Sequence, residues 1–390
     1  MINVHENIFR EKTIKFVLIT LFFLVWTLFS LFYNTISYAS TFETGGDITS
    51  NLYYYSEKNE LQAFENALKL DLQWRGEGNL SARLITRGGY ELLENSVNLK
   101  IVEGYIDFYT DNSDWRIGKQ LIFWGKADGY SPTDNINPDN YFILSQELED
   151  TRQAIFAVRS DIYLNNGTLQ LVYSPEIALN QYPGFSLSLP VSADEQNWQN
   201  HTLAIKYDWI KEKTDYSVSL YHGWTTFMNP IPLPSLQANR MTVVGFDFSI
   251  VIDQIILNGE LAYKAYQNLD ANFEFSLEAS YSPEENLNLA GMLFRKGPGL
   301  PTLIPQITQI DTSWGIGSRI EWTPIDYHTI AGLFTYNLEN KDSMLNLSYT
   351  WDYSDQIDLK VFYTAFSGEN GDFAMMSDRD RIGIGLQYSF

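Results

Sequence analysis

RIGIGLQYSF, residues 381–390, sets Ile382, Ile384, Leu386, Tyr388 and Phe390 at every second position, with Gly383, Gly385, Gln387 and Ser389 between them. Alternation of period two marks a β-strand with one apolar and one polar face. The pattern recurs upstream. LNLSYTWDY (345–353) puts Leu345, Leu347, Tyr349, Trp351 and Tyr353 on one face, and NFEFSLEASY (272–281) does the same with Phe273, Phe275, Leu277, Ala279 and Tyr281. Shorter copies run from Leu68 to Trp74, Leu203 to Trp209 and Trp314 to Trp322. Several stripes finish in Trp or Tyr, which a strand presents where it meets lipid headgroups. A soluble sandwich would bury such stripes and favour shorter strands, whereas strands of about 10 to 13 residues suit a tilted bilayer crossing. The fold expected is all-β, a transmembrane antiparallel β-barrel.

The alternation places about 18 strands, with 16 as the alternative, between 44–54 and 380–390; the fifth falls at 113–124 and the sixth at 151–164. Tight connections such as RGEGN, NNG, DQ and TPID alternate with longer ones, as in bacterial outer-membrane barrels with periplasmic turns and termini. In hydrocarbon every backbone amide must find a partner within the protein, so the last strand is expected to bond to the first. A terminal aromatic strand, here with Tyr388 and Phe390, also resembles the signal by which Gram-negative barrels reach their assembly machinery.

Residues 16–32 carry no charge, follow Arg10, Lys12 and Lys15, and run into SYAS with small residues at Ser37 and Ala39. That is the pattern of a secretory signal over residues 1–39, an uncleaved anchor being the alternative, with the barrel occupying 40–390. Cysteine is absent, so the exported chain folds without disulfides. Of 26 Lys+Arg and 48 Asp+Glu, residues 1–39 hold three and two, leaving 23 minus 46, or −23, for the rest. Nucleic acid is thereby excluded as a partner, since phosphate binding rests on basic surface.

If the stripes face lipid, the intervening residues face the lumen. On the second to sixth strands that set is basic: Lys69, Arg75, Arg83, Arg87, Lys100, Arg116 and Arg159. From this arc springs the longest connection, GKADGYSPTDNINPDNYFILSQELEDTR (125–152), with Asp128, Asp134, Asp139, Glu147, Glu149 and Asp150 beside Tyr130 and Tyr141. A long loop in an otherwise economical chain points to function. Folded inward beside the cationic wall, it would narrow the pore and impose a transverse field on passing solutes. The bland counterpart is an acidic cap outside the barrel, bridged by divalent cations to lipopolysaccharide. The wall cations have their own bland reading, as partners of nearby Glu77, Glu103 and Asp161.

The stretch RIGKQLIFWGKADGYSPTDNINPDNY…ELEDTR (116–152) resembles a segment of Gram-negative outer-membrane families of unknown function, in which a strand ending G-x-Q-x-x-x-W-G enters a loop with an NP-D element. Gly118, Gln120, Trp124, Gly125, Asn137, Pro138 and Asp139 carry the match, about a tenth of the chain. General porins and the alginate-export barrel are similar more distantly, in architecture and an internal loop. The resemblance implies an outer-membrane pore and leaves its cargo open.

Enzymatic chemistry is not expected. His201, His222 and His328 share parity with apolar residues or adjoin a turn, so they read as girdle residues rather than members of a catalytic array. TDNINPDN lacks the residue order of a calcium loop, and no cofactor or metal is implied. Three functional readings remain: a porin-like channel for small polar or anionic solutes, a dedicated transporter of a polysaccharide or hydrophobic compound, and a structural barrel with a plugged lumen. The partners expected are outer-membrane lipid and lipopolysaccharide, the assembly machinery and small solutes, the barrel standing as a monomer or a homotrimer.

Overall fold

The computed structural model describes residues 40–55, 60–76, 78–93, 95–140, 151–181, 200–230, 236–267, 270–297, 312–369, 371 and 373–390. The expected signal segment and Tyr141, Glu147, Glu149 and Asp150 lie outside the described residues. Eighteen strands follow in chain order: β1 (Thr41–Tyr55), β2 (Glu60–Arg75), β3 (Leu80–Glu91), β4 (Ser96–Tyr109), β5 (Ser113–Gln120), β6 (Ile155–Leu164), β7 (Gly167–Ser174), β8 (Thr202–Lys211), β9 (Thr214–Pro230), β10 (Leu236–Ile252), β11 (Ile255–Tyr266), β12 (Asn272–Glu284), β13 (Leu287–Lys296), β14 (Ser313–Ile325), β15 (His328–Asn337), β16 (Asp342–Ser354), β17 (Ile357–Ser367) and β18 (Arg381–Ser389). Each pairs antiparallel with its neighbours in sequence, and β18 pairs with β1 from Tyr55↔Arg381 to Asp47↔Ser389. Beyond that ladder, Gly46 and Phe390 exchange N–H···O bonds of 3.0 Å in both directions. The sheet is thus a closed barrel.

Parity decides what each side chain meets. Ile384, Leu203, Val244 and Ile316 stand on the outside and are exposed, while their neighbours in sequence point inward, where Ser217, Asp247 and Thr364 are fully buried. An exposed apolar exterior on a closed sheet is what a bilayer requires. At the rim of tight turns, Tyr207, Trp209 and Tyr216 stack at 5.7 and 5.6 Å, and His328 lies against Tyr349 and Trp351 at 6.0 and 5.8 Å. On the opposite rim His201 meets Tyr173 and His222 meets Thr242. His201, His222 and His328 therefore sit among outward-facing residues.

Strand lengths spread from 8 residues in β5 to 17 in β9 and β10, beyond the range the alternation suggested. The instructive difference is β5. The sequence places its end at 124, but it ends at Gln120, and β6 begins at Ile155 rather than 151. Leu121 N–H donates to the Glu103 carboxylate at 2.7 Å and Ile122 N–H to the Asn137 side chain at 2.7 Å. With those amides satisfied by side chains, the backbone can leave the ladder and turn into the barrel.

Candidate functional site: a connection folded against the wall

Residues 121–140 run inside the barrel. Ile122, Trp124 and Ile136 form one buried apolar cluster with the inward-facing Ala157, Val172, Ala204, Tyr221, Val243 and Ala262 of β6 to β11. Small residues on the wall make room for the large ones on the connection, as interdigitated packing requires. Trp124 Nε1 donates to Gln170 at 2.6 Å, so its polar edge is satisfied as well.

The residues of the loop motif do local structural work. Gln120 is fully buried and donates to Ala157 O at 2.9 Å. The Asn137 side chain accepts from Ile122 N–H and donates to Gln120 O and Gln153 O, clamping the two ends of the loop together. Gly118 has φ of 137°, and a Cβ there would stand 2.3 Å from Gly104 O. Gly125 has φ of 95°, and a Cβ would stand 2.2 Å from Ser131 Oγ and 2.6 Å from Glu260 Oε1.

That carboxylate is the main anchor. Glu260, on β11 and only 3% exposed, accepts hydrogen bonds from Lys126 N–H, Ala127 N–H and Thr133 Oγ1 at 2.7 Å, from Ser131 Oγ at 2.8 Å and from Thr133 N–H at 3.3 Å. Successive loop donors converging on one anion form a concave cradle, here closed around a side chain of the wall. Further along the tip, Tyr130 OH donates to Glu274, which also pairs with Lys264 at 2.8 Å, and Asp128 pairs with Arg319 of β14 at 2.6 Å.

Among the described residues, the loop carboxylates Asp128, Asp134 and Asp139 form their ion pairs away from the cationic arc that the sequence suggested. Asp134 and Asp139 both pair at 3.1 Å with Arg152, at the loop's own far end, and Asp128 takes Arg319. Toward the tip, loop amides and hydroxyls bond carboxylates on β11 and β12, the side opposite the basic strands, while at the base Leu121 N–H reaches Glu103 of β4. Burial pushes the Asp134 carboxyl up to about 6 against the pull of Arg152, and burial beside Glu274 raises the Tyr130 phenol well above its ordinary value.

Across the lumen the seven predicted wall cations all lie on inward-facing positions, Lys69, Arg75, Arg83, Arg116 and Arg159 beside carboxylates. Arg83 pairs with Asp71 at 2.6 Å, Arg116 with Asp107 at 2.7 Å and Arg159 with Asp161 at 2.8 Å; Lys69 and Arg75 lie 3.9 and 3.8 Å from Asp47 and Glu43. Of the carboxylates named from sequence proximity, Asp161 is one of these partners, Glu103 accepts Leu121 N–H, and Glu77 lies outside the described residues. Arg116 also covers the Tyr105 ring at 3.7 Å. Arg87 lies directly across from Lys69 and Lys100 on the neighbouring strands, a row of like charges. Among the described residues no group of three or more His, Cys, Asp or Glu is placed to hold a metal.

Comparison with solved structures gives Pseudomonas aeruginosa OccK3 (OpdO) at a TM-score of 0.60 with 11% identity, covering 90% of this chain and 95% of that one. Pseudomonas aeruginosa OccK5 (OpdH) follows at 0.57 with 13% identity over 90% and 97%, and Acinetobacter baumannii OccAB4 at 0.57 with 9% over 90% and 98%. The fold is that of the outer-membrane porins. Residues 212–390, from the start of the β8–β9 turn to the last residue, match the model of a family described as a protein of unknown function, DUF1302. The porin fold therefore comes with a family match on its second half, outside the 118–139 motif. No curated protein matches the chain.

Gly125→Ala tests the inward turn. A non-glycine residue at this φ costs about 1–3 kcal/mol, and its Cβ presses on Ser131 and on a Glu260 held by five hydrogen bonds. The variant should keep the thermal stability of the barrel and show noisier, larger single-channel currents. Currents identical to the parent's would mean that the turn does not position the loop.

Proposed function

We propose that the chain is an outer-membrane channel through which small polar or anionic solutes diffuse, narrowed by residues 121–140. The observation that carries this reading is the asymmetry of the lumen. One side, β6 to β12, is covered by the docked connection, and the other, β2 to β6, presents guanidinium groups to the remaining space. Bound to neighbouring carboxylates, those arginines are fixed in position, and a fixed charge at a constriction selects ions by sign.

Planar-bilayer recordings test it through a matched pair. Arg116→Ala removes the cation and leaves Asp107, only 7% exposed, without its 2.7 Å partner. Asp107→Asn does the reverse. The reversal potential in a salt gradient is expected to shift toward cation preference in the first and toward anion preference in the second. Ohmic steps with the same selectivity in both variants would remove the arginine arc from the mechanism, and no conductance at all would favour a plugged structural barrel.

A further inference from the structure

Arg240 of β10 stands on the outward parity of Thr242 and Val244, where the barrel reaches the rim of its long connections. A cation pointing at lipid is costly unless its head reaches the headgroup layer. Its Nη1 donates to Asn200 O and His201 O, both at 3.1 Å, and its guanidinium lies over the Trp224 ring at 5.2 Å. Those contacts fix the group without neutralising it. Among the described residues Arg240 has no carboxylate partner, unlike Arg83, Arg116 and Arg159 in the lumen.

Two imidazoles flank it. Arg240 pairs in register with Trp224 and His222 with Thr242, so His222 is the diagonal neighbour of Arg240, a spacing of about 7–8 Å. His201, whose carbonyl Arg240 holds, comes two residues before Leu203, itself paired with His222. Each ring is tied down through Nδ1, His201 by the Tyr173 hydroxyl at 2.6 Å and His222 by Thr242 Oγ1 at 2.9 Å. With Nδ1 accepting from a hydroxyl, the ring proton belongs on Nε2, so each imidazole offers an N–H donor. Toward the bilayer the same strands continue with the exposed Leu203, Leu220 and Val244. A fixed guanidinium and two N–H donors above an apolar wall suit a phosphorylated lipid, with charge-assisted bonds for the phosphate and apolar surface for the chains.

We propose that this patch is a lipopolysaccharide site, which seats a phosphate of the lipid A head group against Arg240, His201 and His222 while the acyl chains lie along Leu203, Leu220 and Val244. Outer-membrane barrels turn their long connections to the cell exterior, and the outer leaflet there is this glycolipid. The patch is opposite in sign to the chain around it, which carries 26 Lys+Arg against 48 Asp+Glu. Net charge therefore repels an anionic leaflet, and binding has to come from local donors. The inference rests on the barrel standing in the outer membrane and not on what passes through its lumen.

Native mass spectrometry of the full chain in detergent, titrated with deep-rough lipopolysaccharide in the presence of EDTA, tests it. The chelator removes adducts held by divalent cations between carboxylates and phosphates. One adduct is expected to persist, and to weaken about tenfold or more in Arg240→Gln, the loss of one charge-assisted contact. His201→Phe with His222→Phe keeps the rings, removes their donors and should weaken it by a similar factor. Arg295→Gln, which removes an outward guanidinium paired in register with Trp314, should leave it unchanged. The parent chain gives a test that no variant's folding can blur: lipid A stripped of its phosphates should bind the parent as weakly as the intact lipid binds Arg240→Gln. Equal binding of the stripped lipid, displacement by an equal concentration of phosphatidylglycerol, an equal loss in Arg295→Gln, or no adduct in EDTA would each overturn the proposal.

Discussion

Deleting residues 381–390 is expected to leave no folded barrel, seen as loss of the heat-modifiable band in cold SDS gels and of protease-resistant core. β18 contributes nine register pairs to β1 and eight to β17. Without it both edges face hydrocarbon, where each unsatisfied backbone group costs several kcal/mol, so the penalty of some tens of kcal/mol exceeds a typical folding stability of about 5–15 kcal/mol. The remaining strands cannot repair the gap. β1 and β17 run in the same direction, each starting at the tight-turn rim, so joining them would demand a parallel ladder with a new register. Ile384→Lys gives the graded comparison. It places a charge on an outward position 56% exposed, at a cost of about 2–4 kcal/mol near the bilayer centre, and should lower the unfolding midpoint while a folded band persists. A stable, heat-modifiable protein from the deletion would show that closure by β18 does not hold the fold.

The barrel was legible because its periodicity is local: each strand announces its two faces within about ten residues, and the girdle residues mark where it ends. The facing of the seven cations followed from the same parity. Their partners did not, because an inward carboxylate is chosen across the ladder by register. Arg83 reaches Asp71 and Arg116 reaches Asp107 over a hairpin, whereas Glu103, closer in sequence to Lys100, accepts the Leu121 N–H where the chain leaves the sheet. The early end of β5 had a signal that pattern matching passes over. Lys119 interrupts the apolar face begun by Trp115 and Ile117, and a lysine on that parity marks the end of the lipid-facing run. Glu260 was invisible for another reason. Its parity in NGELAY (258–263) marks it as inward, but which wall a connection meets more than 120 residues away depends on the circumference of the closed ring, which no local window contains.

Glu260→Ala is expected to raise single-channel conductance while the barrel stays folded. The substitution strips the acceptor from five loop donors at once. Each buried donor left without a partner costs about 1–3 kcal/mol, so together they outweigh what the tip gains from its remaining anchors, the Tyr130–Glu274 bond and the exposed Asp128–Arg319 pair. The base should hold, since Ile122, Trp124 and Ile136 keep their apolar seat. Release is therefore confined to residues 126–133, and the current should rise less than in a chain lacking 128–150, where the constriction is removed outright. Glu260→Gln retains one acceptor oxygen but turns an amide N–H₂ toward loop donors, and should fall between Glu260→Ala and the parent. The order matters more than any single value. If the deletion conducts like the parent, the connection does not bound the pore; if the deletion conducts more but Glu260→Ala does not, the apolar seat alone holds the loop in place and the carboxylate cradle is dispensable.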